Sequence, residues 1–430
     1  MPGEPTEQNR ISREGLTGYW TLGKQYLAEK THGSPGERLL YLIPQIAKKT
    51  EIPVVILIDE YDKPILDNLE NPSLAAKMRD LLKDFYGAIK PLDIHLRFVF
   101  LTGVSKFAKT GIFSGLNNLM DITIDRRYSS ICGYTGQDLT AVFGEMIAGF
   151  DMQDISRCHN GYSWTGESVY NSFDLLLFLE NGVFRPYWFG TGTLSFLGKI
   201  WKTDPRLPAD YEGLVTGEEI LGSFDPEQMR MEPLLFQSGY LTIKEWSADP
   251  VRGLRCVLGF PNIEVRTSLN ALFSEALSGR NALVNRDRLH VLLDKGDISG
   301  LHRLFHAFFA SIPHEWYRKN QISQFEGYYA SVVYTYFASL GYEVIPEDTT
   351  NHGQIDLCIK TSNAIWLFEF KVLGLGRKST KSPLEQIKDK GYSEKYQEDG
   401  LPIYEIGVVF DPKSRNIVKW EVQEPENLNE

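Results

Sequence analysis

Apolar and polar residues alternate at period two through residues 354–359 and again through 365–372. A strand with that period sends successive side chains to opposite faces. Ile355, Leu357 and Ile359 are then expected on one face with Asp356 on the other, while Trp366, Phe368, Phe370 and Val372 form an apolar side opposite Glu369 and Lys371. Upstream, Ile322, Phe325, Val332, Val333, Tyr336, Phe337 and Leu340 recur at helical spacing, which predicts a helix over 322–340 with Glu326 at the edge of its stripe. A short strand over 343–346 follows it. Downstream, Ser382-Pro383-Leu384-Glu385 has the form of a capping box and predicts a helix running to about residue 396. Apolar runs at 404–410 and 417–422 complete the order αβββαβ.

The first half of the chain shows a different pattern. Ser34-Pro35-Gly36-Glu37 is a second capping box with proline at the first helical position, and it predicts a helix to about residue 49. Residues 53–58 are a continuous apolar run that ends in Asp59 and Glu60, as expected of a strand buried on both faces of a parallel sheet. A helix over 73–89 and a second apolar run over 96–103 give the alternation of a doubly wound α/β sheet. Acids at the carboxyl end of such a strand lie where open sheets place ligand chemistry. The aromatic-rich stretch 151–198 reads as core. Residues 231–275 read as helix, strand, strand, helix, and 282–316 as helical; His302 and His306 share a helical face there, with no third ligand evident.

Composition narrows the function classes. A hydrophobic content of 42% and a charged content of 23% are those of a soluble globular protein. No run approaches the roughly 18 apolar residues of a membrane span, and the polar start does not read as a signal peptide, so a cytoplasmic protein without membrane contact is expected. Four scattered cysteines without a CxxC pair argue against a disulfide framework or a structural zinc site built on thiols. A net charge of -11 argues against nonspecific coating of nucleic acid. The local exception is Arg377, Lys378, Lys381, Lys388, Lys390 and Lys395, which form a candidate basic patch.

Two carboxylates and a lysine on one face of paired strands suit a divalent cation, Mg2+ or Mn2+, held by Asp356 and Glu369, with Lys371 placed to orient water or stabilise developing negative charge. Asp356 followed by Glu369-Phe370-Lys371 is the D…ExK pattern. The stretches Val55-Ile56-Leu57-Ile58-Asp59-Glu60-Tyr61-Asp62-Lys63-Pro64 and Phe100-Leu101-Thr102-Gly103-Val104-Ser105-Lys106-Phe107, with Ile112 to Asn118, resemble the AAA-ATPase-like family of microbial proteins, whose members carry a C-terminal PD-(D/E)XK nuclease-like domain. The resemblance implies an α/β fold in three parts: a truncated P-loop NTPase-like parallel-sheet domain over 1–150, an α-rich, winged-helix-like lid region over 151–280 with a helical connector over 281–317, and a PD-(D/E)XK domain over 318–430. It also implies Asp59 and Glu60 as a Walker B pair with Ser105 nearby for nucleotide, Glu326 as a further metal acid, and Gln386 and Tyr392 as site residues on the helix after Lys371. Gly18 to Gln25 matches GxxxxGK but has Gln25 where magnesium needs Ser or Thr, and no buried strand precedes it. A start shortened ahead of the phosphate loop, or loss of nucleotide hydrolysis, is therefore expected, and ATP turnover is not. The leading function is a metal-dependent nuclease with DNA ahead of RNA as partner. The alternatives are a noncatalytic interaction protein and an ATP-dependent switch; self-association is left open.

Overall fold

A computed structural model of the chain describes residues 33–68, 71–104, 112–113, 116–188, 208–218, 230–278, 282–312, 326–374 and 381–425. The Gly18 to Gln25 stretch and Ser105, Arg377 and Lys378 lie outside them. By contact density the chain divides into two units, residues 1–122 with 219–238 and residues 123–218 with 239–430. No helix among the described residues is long and apolar enough to cross a membrane.

The first unit begins with α1 (Pro35–Thr50), whose capping box has both of its hydrogen bonds, Glu37 N–H to Ser34 Oγ and Ser34 N–H to Glu37 Oε2. β1 (Val54–Ile58), α2 (Pro72–Gly87) and β2 (Leu96–Leu101) follow, and β1 pairs with β2 in parallel. Burial on both faces of β1 is not observed: Val55 is 48% and Leu57 69% exposed, and Phe98 of β2 is exposed beside them. The pairing explains this, because the sheet has two strands among the described residues and alternate side chains of β1 stay uncovered. Asp62, just past β1, is fully buried and accepts a hydrogen bond from the Val104 amide, which ties the two strand ends together.

The second unit opens with a small helical body. β3 (Gly133–Tyr134) and β4 (Tyr170–Asn171) form a two-residue ladder, and α3 (Gly136–Phe143), α4 (Met152–His159) and α5 (Ser172–Asn181) accompany it. Leu139, Ile147, Ile155, Tyr170, Leu175, Phe178, Leu179 and Tyr187 make its core, while Phe173 and Phe184 of the aromatic-rich stretch are exposed. Next, β5 (Leu214–Gly217), β6 (Thr242–Asp249) and β7 (Gly253–Gly259) form an antiparallel sheet in the order β5-β7-β6. The helix that precedes β6 in sequence, Met231–Gln237, belongs to the first unit, and α6 (Ile263–Ser278) follows β7 in the second; both lie close to the predicted elements. β5 adds a third strand to the expected pair.

The C-terminal part comprises α7 (Ala282–Asp294), α8 (Ile298–Ser311), α9 (Glu326–Ala338), β8 (Glu343–Thr350), β9 (Gly353–Lys360), β10 (Ile365–Val372), α10 (Pro383–Lys390), a 3-10 segment (Tyr392–Asp399), β11 (Ile403–Asp411) and β12 (Asn416–Gln423). Five strands run in the order β12-β11-β10-β9-β8, with β10 and β11 parallel and the other pairs antiparallel. From α9 to β11 this is the αβββαβ order predicted for a PD-(D/E)XK domain, with β12 added at the sheet edge, in a chain of mixed α/β class.

Helices cover both faces of the sheet, which is why β10 is buried almost throughout. On one side Phe305 of α8 packs against Tyr336, Phe337 and Trp420, and Phe309 packs against Tyr329 and Phe410. His302 stacks on Trp420 with ring centroids 5.3 Å apart, so it belongs to this packing. On the other side Ile355, Cys358, Ile365 and Leu367 meet Ile387, Tyr392 and Tyr396. Ile355 was expected to share a face with Leu357 and Ile359 but packs with Cys358 and Leu367. The helix after β10 also ends earlier than predicted: Gly391, at φ 57, caps it, and Tyr392 starts the 3-10 segment. A glycine adopts that left-handed conformation without steric cost, which makes it a natural stop.

Candidate active site

The site forms where regular strand pairing fails. The β9–β10 ladder runs from Ile365↔Lys360 to Phe368↔Leu357 and stops there; one further step would set Glu369 opposite Asp356. On the other edge of β9, the ladder with β8 passes from Pro346↔Leu357 to Asp348↔Ile355 without Glu347 and Asp356, and Glu347 sits at φ 49. A non-glycine residue in that region breaks the local pleat. The break accounts for the displaced face of Ile355. With its backbone out of both ladders, Asp356 uses its side chain instead, and Oδ2 accepts the Phe370 amide at 2.7 Å. Asp356 and the Glu369–Lys371 segment are thereby held together by a bond between side chain and backbone.

Glu369 is 3% exposed, and its Oε1 accepts a hydrogen bond from Gln386 Nε2 of α10. The approach of α10 has a sequence cause. In the parallel ladder Glu369 stands beside Gly407, and a Cβ at Gly407 would lie 2.5 Å from the Leu384 backbone nitrogen. A strand glycine of this kind marks a close backbone approach. It lets the first turn of α10 rest on the sheet beside Glu369 and brings Gln386 onto the carboxylate. The helix itself starts at the predicted capping box, with Ser382 and Glu385 making both bonds.

Lys371 follows Glu369 at the next position on the same face, and its Nζ donates to the Lys381 carbonyl at 2.9 Å. Tyr392 is buried against the same group of residues. Burial raises its phenol above the ordinary range, the charges of Glu369 and Asp356 add to this, and a hydrogen bond with Gln386 opposes it. Its hydroxyl lies over Gly353, where a Cβ would stand 2.9 Å from it. Asp356, Glu369, Gln386 and Tyr392 are therefore neighbours, with Lys371 on the same strand. Glu326 is the first residue of α9, and its side chain lies outside the described residues.

Of the four described residues of the basic patch, three have side-chain partners. Lys381 pairs with Asp389, Lys395 with Asp348 at 2.5 Å, and Lys388 donates to Gln423 at 2.8 Å. In the first unit Asp59 sits exposed at the end of β1, where it accepts the Thr102 hydroxyl and the Glu60 amide, while Glu60 lies 3.6 Å from Lys63.

One constellation has no counterpart in the sequence pattern. His159 at the end of α4, Asp174 in the first turn of α5 and Glu264 in the first turn of α6 are all buried, with donor atoms within 4.8 Å of one another. Burial, then the charge of Glu264, pushes the Asp174 carboxyl up to about 7. Burial holds the His159 ring below its ordinary range, so it is neutral near pH 7. In sequence each acid reads as an ordinary helix-start carboxylate. Only the packing of three helix ends reveals the group.

Two family models match the chain: the PD-(D/E)XK nuclease superfamily over residues 324–420 and a predicted AAA-ATPase over residues 7–113. The first includes Asp356, Glu369, Lys371, Gln386 and Tyr392; the second includes Asp59, Glu60 and Ser105. The chain is also similar to a protein of Azotobacter chroococcum mcd 1 described as an uncharacterized protein in the vnfD 5' region. They share 45% identity over 402 residues, which cover 92% of this chain and 74% of that protein. No solved structure matches.

Proposed function

Because the chain belongs to the family that joins an AAA-ATPase-like domain to a C-terminal PD-(D/E)XK nuclease-superfamily domain, we propose that it is a divalent-metal-dependent nuclease acting on DNA. The observation that carries this reading is the bond from the Phe370 amide to Asp356, which holds Asp356 beside the Glu369–Lys371 segment where the β9–β10 ladder stops. The donor set fits Mg2+ or Mn2+, which take carboxylate oxygens and leave positions for water and phosphate. When bound, the ion supplies Lewis-acid polarisation of a phosphoryl oxygen and an activated water. Asp356 and Glu369 would hold it, with Glu326 proposed as a further acid. Gln386 fixes the carboxylate plane of Glu369, and Tyr392 keeps water from its buried side. Lys371 supplies positive charge where negative charge develops on the attacked phosphate.

In the N-terminal domain Asp59 and Glu60 take the place of a Walker B pair. The hydroxyl of Thr102 on Asp59 supports a role in holding β1 to the end of β2. The order helix, strand, strand and helix along residues 231–278 supports a winged-helix-like reading of this stretch.

The test is a substrate panel. Single- and double-stranded DNA and RNA are incubated with the full chain in Mg2+, Mn2+ or chelator. Cleavage of DNA in metal, abolished by chelator, is expected. No cleavage of any substrate in either metal would favour a noncatalytic interaction protein.

A further inference from the structure

We propose that His159, Asp174 and Glu264 form a second metal site, for a divalent transition-metal ion of the zinc class, separate from the Asp356–Glu369 pair and independent of the nuclease reading. His159 is 1% and Asp174 0% exposed, and Glu264 is 5% exposed. Neither ring nitrogen of His159 makes a hydrogen bond among the described residues, although Nδ1 lies 3.3 Å from Glu264 Oε2. Buried polar atoms are normally satisfied, so an imidazole with both nitrogens unbonded beside two carboxylates is a group built for a ligand. The ring cannot turn away to find one. Phe178 lies 5.1 Å from it and Phe184 stacks on it at 5.9 Å.

The donor chemistry selects the ion. Once Asp174 gives up its proton, a neutral imidazole with two carboxylates carries two negative charges, which one divalent cation neutralises in a buried site. Carboxylates alone would suit magnesium or calcium, whereas an imidazole in the set favours zinc and its first-row neighbours. Tetrahedral ligands about 2.1 Å from zinc stand about 3.4 Å apart. The His159–Glu264 pair is already at that spacing, and the donor atoms of all three residues lie within 4.8 Å of one another.

The scaffold is fixed before the ion arrives. Asn171 caps α5 by accepting the Phe173 and Asp174 amides at 3.0 and 3.3 Å. Asn262 accepts the Val265 amide at 3.0 Å at the start of α6, and its side chain donates to the Asn160 carbonyl, one residue beyond α4. The Trp188 amide donates to Glu264 Oε1 at 3.2 Å, which orients that carboxylate. An ion here would clamp three helix ends, so its role is structural.

The full chain is stripped with chelator and titrated with Co2+ and with Zn2+. Wild type should bind one equivalent of Co2+ with tetrahedral visible absorption, displaced by Zn2+, and Zn2+ should raise its melting temperature by at least about 5 °C. His159→Gln and Asp174→Asn should lose both signals while Asp356→Ala keeps them. Wild type that shows neither stoichiometric Co2+ absorption nor a melting shift overturns the proposal, whether or not the variants fold. Equal signals in wild type and the folded His159→Gln variant overturn it as well.

Discussion

At the scale of single residues, the candidate active site depends on groups whose function is to be absent. Gly407 carries no side chain where a Cβ would meet the backbone of α10. Gly407→Ala must push α10 off the sheet, and overpacking of this kind costs about 1–3 kcal/mol. Because Gln386 rides on that helix, the same change should withdraw the hydrogen bond to Glu369. Denaturant unfolding is expected to show the loss of stability, and DNA cleavage at a temperature where the variant is folded should fall by at least about tenfold. A variant as stable and as active as wild type would mean that the approach of α10 does not position Glu369. The placement of Asp356, Glu369 and Lys371 on neighbouring strands was readable from sequence, because charged residues interrupt otherwise apolar runs. The bond from the Phe370 amide to Asp356 was not, since it depends on the break in pairing opposite Glu347.

Among elements, α8 closes part of one face of the nuclease-like sheet. Its Phe305, Phe308 and Phe309 are each at most 2% exposed, and they lie against rings from α9, β11 and β12. Burial of each contributes about 1.5–3 kcal/mol, which is large against the stability of a small domain. A fragment of residues 298–430 is therefore expected to melt cooperatively, and one of residues 316–430 to melt at a clearly lower temperature or be unfolded by circular dichroism. Indistinguishable melts would show that α8 adds nothing to this sheet. Local signals worked well for element starts: both capping boxes at Ser34 and Ser382 are formed. They worked less well for element ends. The helix after β10 stops at Gly391 although the polar pattern continues, because a left-handed glycine ends a helix whatever follows it.

Across the whole molecule, what sequence revealed was whatever local patterns encode: the two parallel strands of the first unit, the five-strand order of the last part, and the acids and lysine on β9 and β10. Contacts distant in sequence stayed hidden. His159, Asp174 and Glu264 come from three helices, and their convergence depends on packing that no local period reports. The exposed face of β1 is a similar case, since an apolar run does not say how many neighbours cover it. Asp356, Glu369 and Lys371 are the proposed phosphodiester-cleaving group. The most direct test of this proposal is the single-turnover rate of DNA cleavage in Mg2+ or Mn2+ by wild type, Asp356→Ala and Lys371→Ala, each shown to be folded at the assay temperature. Both variants are expected to lose at least about a hundredfold in rate, because each lacks a group that acts on the reacting phosphate or holds the ion beside it. Variants that cleave as fast as wild type would contradict the account.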